Sequence, residues 1–298
     1  MLGIAVVAAL LLELMPGDPA VAMAGEAATP ERVQMIRTEV GLDKPLWERF
    51  GSYLWGVVQG DLGSSPRTGT AVWDQMSATL PVTLSLGALA MFLAVLLGVG
   101  SGTLAALRRG QLADRAVTAM AAMMQAIPPF VVGLGLVVFL AVDRSWFPAT
   151  GYVPLTQDPG LWLRHVLLPA FTLALTPAAE LARQTRGALV DTLEQDYIRG
   201  VRAKGLSEAK VVCKHGAKNA ATPVVTVLGM QVGRVLGGAV VVELIFGMPG
   251  FGALALNAVM TRDVVLIQGV ILISALAVLL SNFVVDVSYG FFNPKVRG

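Results

Sequence analysis

Three runs of this chain carry no Asp, Glu, Lys or Arg: Pro81–Leu107, Ala116–Val142 and Val264–Val285. Each is long enough to cross a hydrocarbon core that takes about 20 apolar residues. Two shorter uncharged runs, His165–Ala179 and Asn219–Gly233, are extended by further apolar residues past one charge, Glu180 and Arg234 respectively. Met1–Met15 is apolar apart from Glu13 and lacks the basic flank and small-residue cleavage site of a secretory signal, so it reads as a first span whose beginning is missing from this chain. Apolar and polar residues do not alternate strictly over ten-residue segments as they would in a membrane barrel, so helices must satisfy the backbone within lipid. The pattern predicts an all-α integral membrane protein of one domain over residues 1–298. Its six spans fall at roughly 1–15, 81–107, 116–142, 163–183, 220–243 and 264–289.

Composition agrees, with 55% hydrophobic and 14% charged residues and a mean hydropathy of +0.69 over 298 residues. An even number of spans puts both termini on one side. Lys and Arg favour the cytoplasm. With the termini inside, the inner segments hold 13 of the 22 basic residues, whereas the outer segments hold eight, five of them diluted in a long first loop at 16–80. The net charge of +2 follows from this topology and gives no reason to expect nucleic acid. The single cysteine, Cys213, falls on the reducing side and has no nearby partner for a disulfide or a metal. No GxxxxGK[ST], HExxH or GxSxG motif occurs, so neither nucleotide hydrolysis nor a metal or nucleophile site is written here.

Local punctuation refines the picture. In the outer loop, Thr29 before Pro30 forms a helix start, Glu31 suits its positive end, and Gly41 stands where a C-terminal cap belongs. A second short helix runs from Pro45 to Val58 with an apolar, aromatic face of Leu46, Trp47, Phe50, Tyr53, Leu54 and Trp55. Such helices lie at the membrane interface, and this one reads as a packed extracellular cap or as a substrate contact. Pro128, Pro129, Pro169 and Pro177 are expected to bend or interrupt their spans. Gly87, Gly98, Gly100 and Gly102, and likewise Gly229, Gly233, Gly237 and Gly238, are expected to permit close helix packing.

The inner segment at 183–222 holds eight Lys and Arg against four Asp and Glu. The helix leaving the fourth span is expected to continue to Lys204 and stop at Gly205. Ser207 then caps a short helix, with Glu208 in its first turn, that runs to about Ala217, and Pro223 marks entry to the fifth span. Leu206, Ala209, Val211, Val212 and Cys213 give this helix apolar surface. On residue chemistry alone it reads equally as a partner's handle and as an ordinary positive-inside loop steadied by anionic headgroups.

Charges within the spans need a reason, since one costs roughly 2.5–3.5 kcal/mol on insertion scales. Arg234 reads either as a contact for a substrate carboxylate, on a path shared with Gln231 and Glu243, or as a partner of Glu180, of Asp286 or of a neighbouring subunit. Glu180 and Asp286 read as polar glue between helices. A self-contained secondary transporter or channel would instead bind ions or protons at Arg234, Glu180 and Asp286.

An ordered set of segments resembles the permease subunits of ABC importers, in the oligopeptide, dipeptide and nickel family, and more the first of the two permeases than the second. The segments are MPGDPA (Met15–Ala20), GLDKPLWERFGSYLWGVVQGDLGSS (Gly41–Ser65), LPVTLSLG (Leu80–Gly87), DYIRGVRAKGLS from Asp196, HGAKNAATPVVTVLG (His215–Gly229), LGGAVVVELIFGMPGFGAL (Leu236–Leu254) and NFVVDVSYGFFNPKVR from Asn282.

The resemblance implies the type I importer permease fold in a prokaryotic plasma membrane, both termini cytoplasmic. Its partners would be a second homologous permease, one or two ATPase subunits holding ATP and Mg, and an extracytoplasmic binding protein that delivers peptides. No cofactor and no enzymatic activity are expected in this chain. Arg199–Lys218 would correspond to the EAA loop, whose coupling helix docks on an ATPase. The coupling residues expected from it are Arg199, Arg202, Ala203, Lys204, Gly205, Leu206, Ser207, Glu208, Val211, His215 and Asn219. Arg199, Gly200 and Val201 replace the loop's name-giving Glu-Ala-Ala, and Lys218 stands where many members have proline.

Overall fold

The structure, a computed structural model, describes residues 18–25 and 28–292. The expected first span at 1–15, with Glu13, lies outside these residues. Every named element among the described residues is helical. The first three are α1 (Pro19–Ala24), α2 (Pro30–Val40) and α3 (Leu46–Val58), followed by the long α4 (Val72–Leu107). Then come α5 (Leu112–Ala126), α6 (Pro129–Leu136) and α7 (Pro159–Leu193). The chain continues through α8 (Asp196–Ala203), the single turn α9 (Glu208–Lys210) and α10 (Ala217–Ile245), and ends with α11 (Phe251–Met260) and α12 (Val264–Phe292).

Four stretches among the described residues are long and apolar enough to span a membrane: Val72–Leu107, Pro159–Leu193, Glu208–Ile245 and Val264–Val284. The expected third span is broken. Pro128 and Pro129 separate α5 from α6, which with the wider π-helical turns of Val137–Asp143 forms a pair bent by 97°. Pro169 and Pro177, by contrast, interrupt nothing. Both are buried inside the continuous α7. The span expected at 81–107 begins earlier, at Val72, with Asp74 in the first turn, where the helix dipole favours an acid.

The chain divides into two compact units. The first comprises the described residues up to Thr83 together with Pro249–Leu279. Its core joins Ala20, Met23, Ile36, Val72 and Met76 to Ala258, Val264, Leu266 and Ile267, so the first loop is a folded layer. Asp18 caps α1, its side chain accepting from the Ala20 amide at 2.9 Å, and pairs with Arg37. The Thr29 hydroxyl accepts from the Arg32 amide at 3.3 Å, and Gly41 ends α2 at φ 72°. Asp263, 1% exposed, caps α12 by accepting from the Leu266 amide at 3.1 Å, and also accepts from the buried Ser65 hydroxyl.

The second unit comprises Leu84–Met248 and the described residues from Leu280. Here α7 packs most extensively on α10, and also on α5 and α6. Two glycines of α4 set its approach to α7. A Cβ at Gly98 would lie 2.6 Å from the Ala178 carbonyl oxygen, and one at Gly102 only 2.4 Å from that of Ala182. Gly100 faces open space.

Candidate coupling segment and intramembrane charges

The segment after α7 departs from expectation in two places. The helix does not run on to Lys204; it stops at Leu193, and Gln195 adopts extended backbone (ψ 148°) before α8 starts with Asp196 in its first turn. The break turns α8 so that Ile198 is fully buried. The second departure is at the fifth span. Instead of a separate short helix, α9 passes through π-helical turns, Val211–Gly216, directly into α10, with Pro223 inside it. Gly216 packs closely here: a Cβ on it would stand 3.2 Å from the Leu193 side chain.

Between α8 and α9 the chain turns at Gly205, whose φ of +76° is the left-handed region that disfavours side chains. Its amide donates to the Arg202 carbonyl at 2.9 Å. The turn is clasped by side chains. Arg202 donates to both oxygens of Glu208, Nε at 3.1 Å and Nη2 at 2.6 Å, and this bidentate contact raises the guanidinium pKa above its ordinary value. Ser207 occupies the cap of α9 as expected, but its hydroxyl makes no capping bond; only its carbonyl accepts, from the Val211 amide at 3.0 Å.

A second clasp holds α8 to the root of α10. The Tyr197 hydroxyl donates to the His215 carbonyl at 3.3 Å, and the Asn219 side-chain amide donates to the Tyr197 oxygen at 2.5 Å and to the same carbonyl at 3.3 Å. Sequence reasoning missed Tyr197; its only signal was an aromatic residue in an exposed, polar stretch. Val211 and Val212 lie inside, so the apolar surface left outside comes from Ala203, Ala209 and Cys213, with Leu206 half-buried. Arg199 is exposed and pairs with Asp196 at 3.2 Å, while Lys204 and Lys210 are exposed. The arrangement is a basic knob, pinned at two points, on the end of a helix that continues into a span.

Within the spans, Glu180 of α7 accepts from Arg234 of α10 at 2.7 Å and from the Gln231 side-chain amide. Arg234 thus has the Glu180 partner that its position in the sequence left open. Its side chain is 62% exposed, against 29% for Glu180. Gln231 and Glu243, expected on a substrate path, are 1% and 0% exposed. They face the interior of their unit. The Asp286 side chain lies outside what the structure describes. Nearer the C-terminal end of α7, its Arg186 grips Asp114 of α5 with two bonds, at 2.5 and 2.8 Å.

The first unit carries a cleft of about 500 Å³ lined by Lys44, Arg49, Tyr53, Ser64 and Gln268, among others. Burial pushes the Tyr53 phenol up to about 12, and its hydroxyl has no hydrogen-bond partner. Among the described residues no cluster of His, Cys, Asp or Glu could hold a metal.

Solved ABC transporters share this helical fold. An inward-facing MetNI methionine ABC transporter matches with a TM-score of 0.60 at 17% identity, covering 73% of this chain and 96% of that one. An amino acid ABC transporter matches with 0.53 at 18% identity, covering 72% and 92%. These likenesses are of fold alone. Sequence goes further: with residues 94–298 matching it, the chain belongs to the family of binding-protein-dependent transport system inner membrane components, and residues 1–87 match the N-terminal family of the same membrane components. A putative peptide transport system permease protein of Brucella abortus (strain 2308) is 39% identical over 297 residues, covering 100% of this chain and 95% of the relative. The dipeptide transport system permease protein DppB of Escherichia coli (strain K12) is 37% identical over 320 residues, covering 99% and 94%.

Proposed function

We propose that this chain is the first-type permease subunit of an ATP-driven importer that moves di- or oligopeptides handed over by an extracytoplasmic binding protein. It sits in the plasma membrane of a prokaryote with both termini in the cytoplasm, beside a second, homologous permease. One or two separate ATPase subunits, holding ATP and Mg, supply the energy, and this chain catalyses nothing itself. The observation that carries the reading is the pinned knob at Gly205. A basic, partly apolar turn held by Arg202–Glu208 and by Tyr197–Asn219 is stiff enough to pass a push along α10. Arg199, Ala203, Lys204, Leu206 and Ser207 form its docking surface, and Val211 and His215 root it. Arg234 borders the peptide path as half of an ion pair, with Gln231 and Glu243 behind it.

The rival reading, a self-contained transporter with ion or proton sites at Arg234, Glu180 and Asp286, draws no support from a Glu180 carboxylate already neutralised by Arg234. Co-purification with tagged neighbouring subunits tests the proposal. An ATPase and a second permease should come down with the chain, and ATP hydrolysis should rise when binding protein and peptide are added. Uphill solute uptake by the isolated chain in vesicles would overturn it.

A further inference from the structure

Helix α3 exposes an apolar strip. Trp47, Trp55 and Val58 are 75%, 66% and 77% exposed, whereas Phe50, Tyr53, Leu54 and Val57 are half-buried. The aromatic face expected from the sequence is therefore split between the protein and its surroundings. At roughly 100° per residue, Trp47, Gly51, Trp55 and Val58 fall within about 80° of arc, and Glu48, Ser52 and Gln59 occupy about 40° immediately beside them. The exposed surface of α3 is itself amphipathic, apolar on one flank and polar on the other.

We propose that α3 lies flat in the membrane–water interface, with Trp47, Trp55 and Val58 in the lipid and Glu48 and Ser52 toward water, and so anchors the layer formed by the first loop onto the bilayer. Three observations choose lipid over a protein partner. First, α3 packs beside the starts of the spanning helices α4 and α12, its Val57 joining the cluster that holds Val72, Met76, Val264 and Leu266. Second, the same unit exposes a further tryptophan, Trp73 in the first turn of α4, at 52%, and membrane–water interfaces favour tryptophan. Third, the strip is bordered by polar residues on one side only, whereas a docking patch is ringed by a polar rim. The strip bears no basic residue, so the lipid it takes is zwitterionic or neutral and the contact does not depend on anionic headgroups. The inference needs only that the chain crosses a membrane, and it would survive failure of the peptide-import reading.

The test uses the full chain in phosphatidylcholine nanodiscs, alone and with its co-purified subunits, on a Cys213→Ala background. Nitroxides are placed singly at Trp47→Cys, Glu48→Cys, Ser52→Cys, Trp55→Cys and Val58→Cys, and their collisions with oxygen and with a water-soluble nickel chelate are measured. The expected result is an oxygen-to-nickel accessibility ratio several-fold higher at 47, 55 and 58 than at 48 and 52, unchanged when phosphatidylglycerol is added. Equal access of nickel to all five sites places the helix in water and overturns the proposal. Shielding of 47, 55 and 58 from both reagents when the subunits are present places a protein there, and overturns it too. If the cysteine variants fail to assemble, a chain keeping only Trp47 and Trp55 reads the same question. Quenching by brominated lipid supports the anchor, and quenching by acrylamide alone refutes it.

Discussion

Gly102→Ala should loosen the contact between α4 and α7, and the size of the effect follows from the geometry. The added Cβ would stand 2.4 Å from the Ala182 carbonyl oxygen and 2.8 Å from the Thr185 Cβ, where ordinary contact begins at 3.4 Å. Neither obstacle is the free end of a flexible side chain, so the helices must retreat by about 1 Å; overpacking of this kind costs roughly 1–3 kcal/mol. In lipid, where apolar burial gives no drive to associate, close backbone approach is itself a main source of helix attraction. Gly98→Ala should behave alike, its Cβ standing 2.7 Å from the Leu181 Cβ. Gly100 is the internal control. Nothing lies within 4 Å of a Cβ there, so Gly100→Ala should stay within about 0.5 kcal/mol of the parent. Unfolding by sodium dodecyl sulfate in mixed micelles, followed by circular dichroism, reads the three variants side by side. A Gly102→Ala chain as stable as the parent, or a Gly100→Ala chain equally weakened, would refute the proposed packing.

Other variants probe the charged groups and the turn. At Gly205 the cost of a side chain is conformational rather than steric, about 1–2 kcal/mol for a left-handed residue. Peptide taken up per ATP hydrolysed should therefore fall from the parent through Gly205→Asn and Gly205→Ala to Gly205→Val, with membrane levels unchanged; a Gly205→Val chain that couples normally would refute the turn's role. Removing one member of the Glu180–Arg234 pair leaves a charge without its counter-ion, so Arg234→Gln should destabilise by roughly 1–3 kcal/mol and Glu180→Gln with Arg234→Gln should recover part of it. Uptake of a free and an amidated peptide should fall equally in Arg234→Gln, and selective loss of the free peptide would show that the guanidinium meets substrate. Ser65→Ala strips a donor from the buried Asp263 carboxylate and should cost about 1–3 kcal/mol in thermal unfolding of the first unit; an unchanged unfolding midpoint would refute the bond's role.

Much of the fold was legible because charge-free runs and helix punctuation are local. The absence of charge marked the spans in α4 and α12, and Thr29, Gly41 and Gly205 sit at the helix ends their chemistry favours. What was not legible depends on contacts distant in sequence. Pro128–Pro129 breaks its span while Pro169 and Pro177 do not, because the latter two lie buried against neighbours that the sequence does not name. The continuity of α9 with α10 runs through the π-helical turns Val211–Gly216, which have no periodic signature in the sequence. Likewise the Glu180–Arg234 pair spans 54 residues and the Ser65–Asp263 bond 198. Gln231 and Glu243, read as sharing a path, are 1% and 0% exposed, a burial set by helix pairings that the sequence does not name. The π-helical root, the Tyr197 clasp and the buried Val211 of the segment around Gly205 are tertiary features, as distinct from its charge, which is read directly from the sequence.

The central claim is that the turn around Gly205 is gripped by an ATPase. A photoreactive side chain at the exposed Ala203 or Lys204, and another at the fully buried Val211, can be irradiated in native membranes with the complete set of subunits present. The ATPase should be captured from Ala203 and Lys204, with a yield that changes on adding ATP, and not from Val211. If neither exposed position captures an ATPase while peptide uptake proceeds, the claim is contradicted.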